Sequence, residues 1–169
     1  MSKAYFLGML HDGTQTRYTY RIAQKSEPSV QDLAQMVRDL GGNAWVYREG
    51  SNRRVFVVEF SKSFLSGFEV SSIQDKIDYT RGYFDAEGSV PLNGSRFYAY
   101  FCQKDRTDLA EVRQYLEQLG ISCGKIHNPS ERIDPNYWRF FVRAKSYSDF
   151  ARIIGSRHPA KRKVLEMVI

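Results

Sequence analysis

Apolar residues recur at two different periods along this chain, and the same succession of periods occurs twice. Residues 3–12 and 77–87 are apolar with few breakers and each runs into a glycine, so both are expected to be helices. Residues 17–25 and 96–104 are rich in aromatic and β-branched side chains and are expected to be strands. Between 28 and 40, Val30, Leu33, Ala34, Val37 and Leu40 keep helical spacing behind Pro28 and stop at Gly41-Gly42. Residues 107–119 repeat this with Leu109, Val112, Leu116 and Leu119, and Thr107 or Asp108 is the expected cap. A hairpin follows in each half, 43–49 with 53–61 and 121–127 with 137–144. A closing helix comes next, at 62–68 and at 146–155, and the second half adds a basic helix at 159–167.

The repetition is literal in places. Arg17-Tyr-Thr-Tyr-Arg-Ile-Ala-Gln-Lys25 lies over Arg96-Phe-Tyr-Ala-Tyr-Phe-Cys-Gln-Lys104, and Leu40-Gly41 lies over Leu119-Gly120 at the same offset. Val57 to Lys62 overlies Phe140 to Lys145 four residues later in register, which a longer hairpin loop around 128–135 accounts for. The expected class is α+β: two αββαββα repeats related by a pseudo-twofold axis, each with a four-stranded antiparallel sheet, packed through their first helices. The divisions are 1–68, a linker at 69–76, and 77–169. One such unit cannot easily bury both faces of its sheet, whereas two can pack as one monomer with two exposed sheet faces. That geometry matches two half-sites of a duplex.

Charge strengthens this expectation. The formal net charge is +6 and the pI about 9.3, which favours a polyanion partner through counterion release. Cys102 and Cys123 have no metal-ligand spacing and form no disulfide framework, which suits a reducing compartment. Residues 1–10 contain too short an apolar stretch for a membrane span and no signal-peptide cleavage pattern, so an intracellular location, in cytoplasm or organelle, is expected.

The start of each repeat carries the chemistry. Thr80-Arg-Gly-Tyr-Phe-Asp-Ala-Glu-Gly88 is similar throughout to the motif of the LAGLIDADG homing endonucleases. Ala4-Tyr-Phe-Leu-Gly-Met-Leu-His-Asp-Gly-Thr14 resembles the first copy in two-motif members. Small residues four apart, Ala4 and Gly8, Gly82 and Ala86, would let two such helices approach closely. By this resemblance Asp12 and Glu87 are the metal-binding acids. A carboxylate at a helix C-terminus opposes the helix dipole, and two of them repel each other. A divalent cation with hard oxygen ligands offsets both costs, hence Mg²⁺, with Mn²⁺ or Ca²⁺ as substitutes. The first motif is one residue short, since Gly8 precedes Asp12 by four and Gly82 precedes Glu87 by five. Either its last turn is irregular or Asp12 is turned by about 100°. His11 is read as a polar helix-end residue.

The resemblance also assigns Gln24 and Gln103 to the metal-bound water network, and Lys62 and Lys145 to the scissile phosphate. Strand alternation sends Tyr18, Tyr20, Ile22, Phe97, Ala99 and Phe101 inward. It leaves Arg17, Thr19, Arg21, Lys25, Arg96, Tyr98, Tyr100 and Lys104 facing DNA. Arg48, Arg53 and Arg54 at a hairpin tip, and Arg139 and Arg143 on one strand face, join them, as guanine readers or phosphate contacts. Unequal outward sets in the two halves imply an asymmetric target. The basic run His158-Pro-Ala-Lys-Arg-Lys163 is expected to touch phosphates or cap the fold. What the resemblance implies is Mg²⁺-dependent hydrolysis of both strands of double-stranded DNA by an intron-encoded monomer. The open alternatives are a cleavage-deficient cofactor of intron RNA splicing, a DNA-binding regulator, and a basic enzyme acting on a small anionic metabolite.

Overall fold

A computed structural model describes residues 1–50, 54–91 and 96–169. The first repeat contains α1 (Ala4–Met9), a 3₁₀ turn (Leu10–Asp12), β1 (Thr14–Gln15) and β2 (Thr19–Gln24). It continues with α2 (Glu27–Asp39), β3 (Ala44–Glu49), β4 (Val55–Ser61) and a 3₁₀ turn (Lys62–Phe64). The second contains α3 (Ile73–Glu87), β5 (Gly88–Ser89), β6 (Tyr100–Gln103) and α4 (Arg106–Gln118). It ends with β7 (Trp138–Phe141), α5 (Tyr147–Ile153) and α6 (Pro159–Leu165). Helix α3 starts inside the expected linker because Ser72 and Asp75 form a capping box there. Helix α4 is capped by Asp105, not by Thr107 or Asp108; the Asp105 carboxylate accepts from both of their backbone N–H groups.

The first sheet is antiparallel with order β1-β2-β4-β3. The second has the order β5-β6-β7, and its expected fourth strand is reduced to two bridges, Cys123 with Val142 and His127 with Arg139. Four residue steps on one side face three on the other, so one extra residue bulges the edge and breaks the ladder. Side chains occupy carbonyls around the bulge: Arg113 Nε donates to Gly124 O at 2.9 Å and Arg143 Nε to Cys123 O at 3.0 Å.

Each repeat has its own core. Ile22, Val30, Val37, Val58 and Phe60 gather with Phe6 in the first, and Phe84, Phe101, Leu109, Phe140 and Phe150 in the second. The strand faces follow the expected alternation with one correction. Tyr18 precedes β2 and is 68% exposed, where an inward side chain was expected.

The two cores meet along α1 and α3. A Cβ on Gly8 would lie 2.2 Å from Tyr79 O, and one on Gly82 would lie 2.0 Å from Tyr5 O. The backbones therefore touch at these two positions, and Ala4 reaches the second core while Ala86 packs against the first. We expect Gly8→Ala and Gly82→Ala each to cost about 3 kcal/mol in denaturant unfolding, as overpacking against backbone that cannot give. Gly124→Ala, whose Cβ would meet nothing nearer than 3.4 Å, should change stability by less than about 0.5 kcal/mol.

Candidate nucleic-acid interface and paired-acid site

The 3₁₀ turn after α1 resolves the short first motif. Three 3₁₀ residues rise about 6 Å, as far as four α residues, so a tighter turn recovers the missing length. Sheet register gives an independent check. Thr14 pairs with Arg21 in β2 and Ser89 pairs with Tyr100 in β6, and Arg21 and Tyr100 are equivalent positions of the two repeats. Asp12 and Glu87 each stand two residues before these, so the two acids occupy equivalent places at adjoining helix ends.

Their electrostatics show that they share one neighbourhood. Partial desolvation pushes Glu87 up from the ordinary carboxylate range, and the Asp12 charge pushes it further; a hydrogen bond from Gln103 and the charge of Lys161 pull it back. Asp12 is also pushed up by desolvation and pulled back by Lys161. Asp12 is exposed, so Glu87 carries the weightier shift. Gln103 is fixed by its own Oε1, which accepts from Lys104 N at 2.7 Å. Cys102, opposite Glu87 on β6, donates its thiol to Glu87 O at 3.2 Å. In the first repeat Asp12, Gln24, Lys25 and His158 line one open groove.

His11 turns away from Asp12. Its Nε2 lies 2.8 Å from Tyr79 Oη, its ring packs on Tyr83, and burial lowers its pKa. Among the described residues no three His, Cys, Asp or Glu side chains form a ready metal cluster. The donor set is instead two carboxylates of hard oxygen, charged alike, with the Asp12 charge pushing Glu87 up, which suits a divalent cation that takes its remaining ligands from water and substrate.

Lys62 and Lys145 are not beside these acids. Thr19 pairs with Ser61, whereas Gln24 pairs with Phe56. Lys62, whose N–H donates to Tyr18 O, therefore lies about 20 Å along the sheet from Gln24. Lys145 likewise lies beyond Val142, which bonds Ala99, while Gln103 pairs with Trp138 at the other end. Antiparallel register puts the residue after the last strand at the far end from the acid, and the cation beside Gln24 in the acid's groove is Lys25.

The open sheet faces differ. On the first, Arg21 donates to Tyr47 Oη at 2.9 Å and to Glu49 at 2.6 Å, while Tyr47 and Thr19 both donate to Glu59. Trp45 joins this face, 44% exposed. On the second, Tyr98, Tyr100 and Phe141 form an aromatic row, and the Arg139 guanidinium lies over Tyr100 and Phe141. Arg143 shares the Arg139 face, and Arg17, Lys25, Arg54, Arg96 and Lys104 are exposed. Arg48 is corrected: it alternates with Ala44 and Val46 and so lies on the helix side of β3, opposite to Tyr47. Arg53 lies outside the described residues. Reading charge alone missed Trp45, Tyr47, Glu49 and Glu59, although their alternation along 44–49 and 55–61 is visible. It also missed Lys161, which shares the apolar face of Val164 and Leu165 at helical spacing.

A raised folded-state pKa means that ionising an acid costs stability. The cost is absent below the ordinary carboxylate range and fully present above the folded pKa. Metal-free Glu87→Gln should therefore melt higher than the unchanged protein at pH 7–8, and the gain should fade as the pH falls toward about 4 and be absent below it. A lower melting temperature at pH 8 would contradict this. Asp12→Asn should do the same to a smaller extent.

A sequence model of LAGLIDADG-like domains matches residues 76–155. The chain is 32% identical over 95 residues to homing endonuclease I-ApeI of Aeropyrum pernix; the match covers 56% of this chain and 41% of that relative. Among solved structures, I-DmoI in complex with DNA and Mn superposes with a TM-score of 0.70 at 20% identity, covering 92% of this chain and 97% of that one. The N-terminal LAGLIDADG domain of DUF199/WhiA gives a TM-score of 0.68 at 16% identity, covering 98% and 85%. With its helices and sheets in place, the chain has the fold of these structures and is similar to LAGLIDADG-like domains over residues 76–155, and it spans less than half the length of the curated relative it matches.

Proposed function

We propose that the protein is a homing endonuclease that cuts both strands of a long, asymmetric double-stranded DNA target by Mg²⁺-dependent hydrolysis. The observation that carries this is the equivalent placement of Asp12 and Glu87 at adjoining helix ends, between two open sheet faces. Relatives support it: I-ApeI is a homing endonuclease, and I-DmoI structures contain DNA with Mn or Ca. The protein acts as a monomer, because one chain supplies both acids and both sheets.

In this reading each sheet lies in the major groove of one half-site. Asp12 and Glu87 hold the divalent cation, which when bound supplies Lewis-acid stabilisation of the phosphate and the leaving 3′-oxygen. Gln103, fixed by the Lys104 backbone, donates to Glu87 and orients the carboxylate. Gln24 stands equivalently beside Asp12 and orients water in the groove. Lys25 places a cation where charge grows on the phosphate. On the second sheet, Arg139 over Tyr100 and Phe141 is stiffened for base reading. On the first, Arg21 must share its donors with Glu49, and Glu59 offers an acceptor suited to a cytosine amino group. The second repeat thus supplies most of the electrostatic affinity.

A duplex library screened with Mg²⁺ tests this. We expect staggered double-strand cuts from the unchanged protein and losses of about 1000-fold or more in Asp12→Asn and Glu87→Gln. Lys25→Met should lower the single-turnover rate by about 10- to 100-fold, and Lys62→Met should leave it nearly unchanged. Specific duplex binding without products at any divalent metal concentration would overturn the endonuclease reading, leaving a DNA-binding regulator or an intron RNA cofactor.

A further inference from the structure

The open face of the first sheet holds carboxylates, an unexpected choice for a surface that meets a polyanion. Arg21 pairs with Thr14 on one side and with Glu59 on the other, and Glu59 pairs with Trp45, so these four form one row across the sheet. The matching pair in the second sheet is Tyr100 with Phe141, and the Arg139 guanidinium lies over both rings. Of the two matched pairs, the first alone carries an acid.

A carboxylate only accepts, and this sets the direction of every hydrogen bond around Glu59. Thr19 Oγ1 donates to Glu59 Oε1 at 2.5 Å, and Tyr47 Oη donates to Glu59 Oε2 at 2.8 Å. Each hydroxyl has one proton, so neither has a donor left for a ligand. Thr16 Oγ1, 2.7 Å from Thr19 Oγ1, must then donate to it, and Arg21 Nε donates to Tyr47 Oη at 2.9 Å. Arg21 Nη2 is held by Glu49 Oε1 at 2.6 Å. Two chains of donors thus end on the two oxygens of Glu59 and fix the carboxylate from both sides. Its oxygens have about four acceptor positions, of which these bonds fill two, and 15% of the side chain stays exposed.

Base edges in the major groove respond differently to such a group. Cytosine shows a donor, its N4 amino group; adenine shows a donor beside the acceptor N7; guanine and thymine show acceptors, N7 and O6 or O4. A fixed carboxylate bonds the cytosine edge, meets one favourable and one unfavourable atom on adenine, and repels the other two. Such a face discriminates by rejecting wrong bases as much as by binding the right one.

We propose that Glu59 determines specificity in the first half-site by selecting a base with an exposed amino group, cytosine before adenine, and excluding guanine and thymine. Thr16, Thr19, Arg21 and Tyr47 are its positioning residues, which hold the carboxylate and spend their own donors on it. This rests on the reading that the first sheet lies in a DNA major groove.

The test uses the full chain in EDTA, so that binding is read without cleavage. The probe is the duplex that the unchanged protein enriches from a randomised library, resynthesised with each base pair changed in turn. At one position of one half-site, cytosine should bind about tenfold or more better than guanine, the scale of one base-edge contact. Replacing that cytosine by 2-pyrimidinone, which lacks the amino group, should lose a similar factor. In Glu59→Gln, whose amide can donate as well as accept, the ratio should fall to within about threefold, chiefly because the guanine duplex gains affinity. Tyr47→Phe, which frees one side of the carboxylate, should lower the same ratio part of the way. Ratios at positions of the other half-site should not move in either variant. Ratios unchanged at every position in Glu59→Gln would overturn the proposal, as would a Glu59-dependent preference for guanine or thymine. Should Glu59→Gln fail to fold, loss of binding with 2-pyrimidinone and the Tyr47→Phe ratio decide the same question. Enrichment of no duplex would sink the reading of the sheets as duplex-binding faces and the proposal with it, whereas enrichment with unmoved ratios sinks the proposal alone.

Discussion

The whole arrangement depends on how closely two helices can approach. At Gly8 and Gly82 the backbones of α1 and α3 are in contact, with no room for a Cβ on either. That contact fixes the separation of the helix ends, and the helix ends carry Asp12 and Glu87. It also sets how far apart the two sheets stand. A bulkier seam would separate the acids and the sheets together, so stability and chemistry are bound to the same two residues.

The close seam has an electrostatic cost. Two carboxylates brought together at two negative helix ends repel each other, and both are held above their ordinary titration range. The fold meets this in part with Lys161, delivered by a helix outside the two-repeat pattern. The remaining repulsion is available for a divalent cation to relieve. A partly strained acid pair is consistent with function, since a fully satisfied pair would gain little from metal.

Much of the fold is legible in the sequence because it is written twice. Helix and strand periods recur with matching aromatic and glycine positions, and this identifies the first helix of each repeat and both sheets. What was not legible has physical reasons. A shortened motif says nothing about whether a 3₁₀ turn compensates, which depends on the pairing of β1 with β2. Lys62 and Lys145 follow the right strands at the wrong ends, because the end that meets the acid is set by antiparallel register. The fourth strand of the second sheet is broken by a single-residue bulge that composition does not reveal. Arg21 looks like a free base reader until Glu49, Glu59 and Tyr47 are found beside it. Lys161 is one lysine in a basic run until α6 packs and half-buries it.

The central claim is that Asp12 and Glu87 form one paired cation site despite the unequal motifs. Anomalous scattering from crystals of the protein with a bound duplex and Mn²⁺ tests it most directly. The account predicts metal peaks between the two helix ends, within about 2–2.6 Å of a carboxylate oxygen from each acid. Peaks on Glu87 alone, or none at the helix ends, would contradict it.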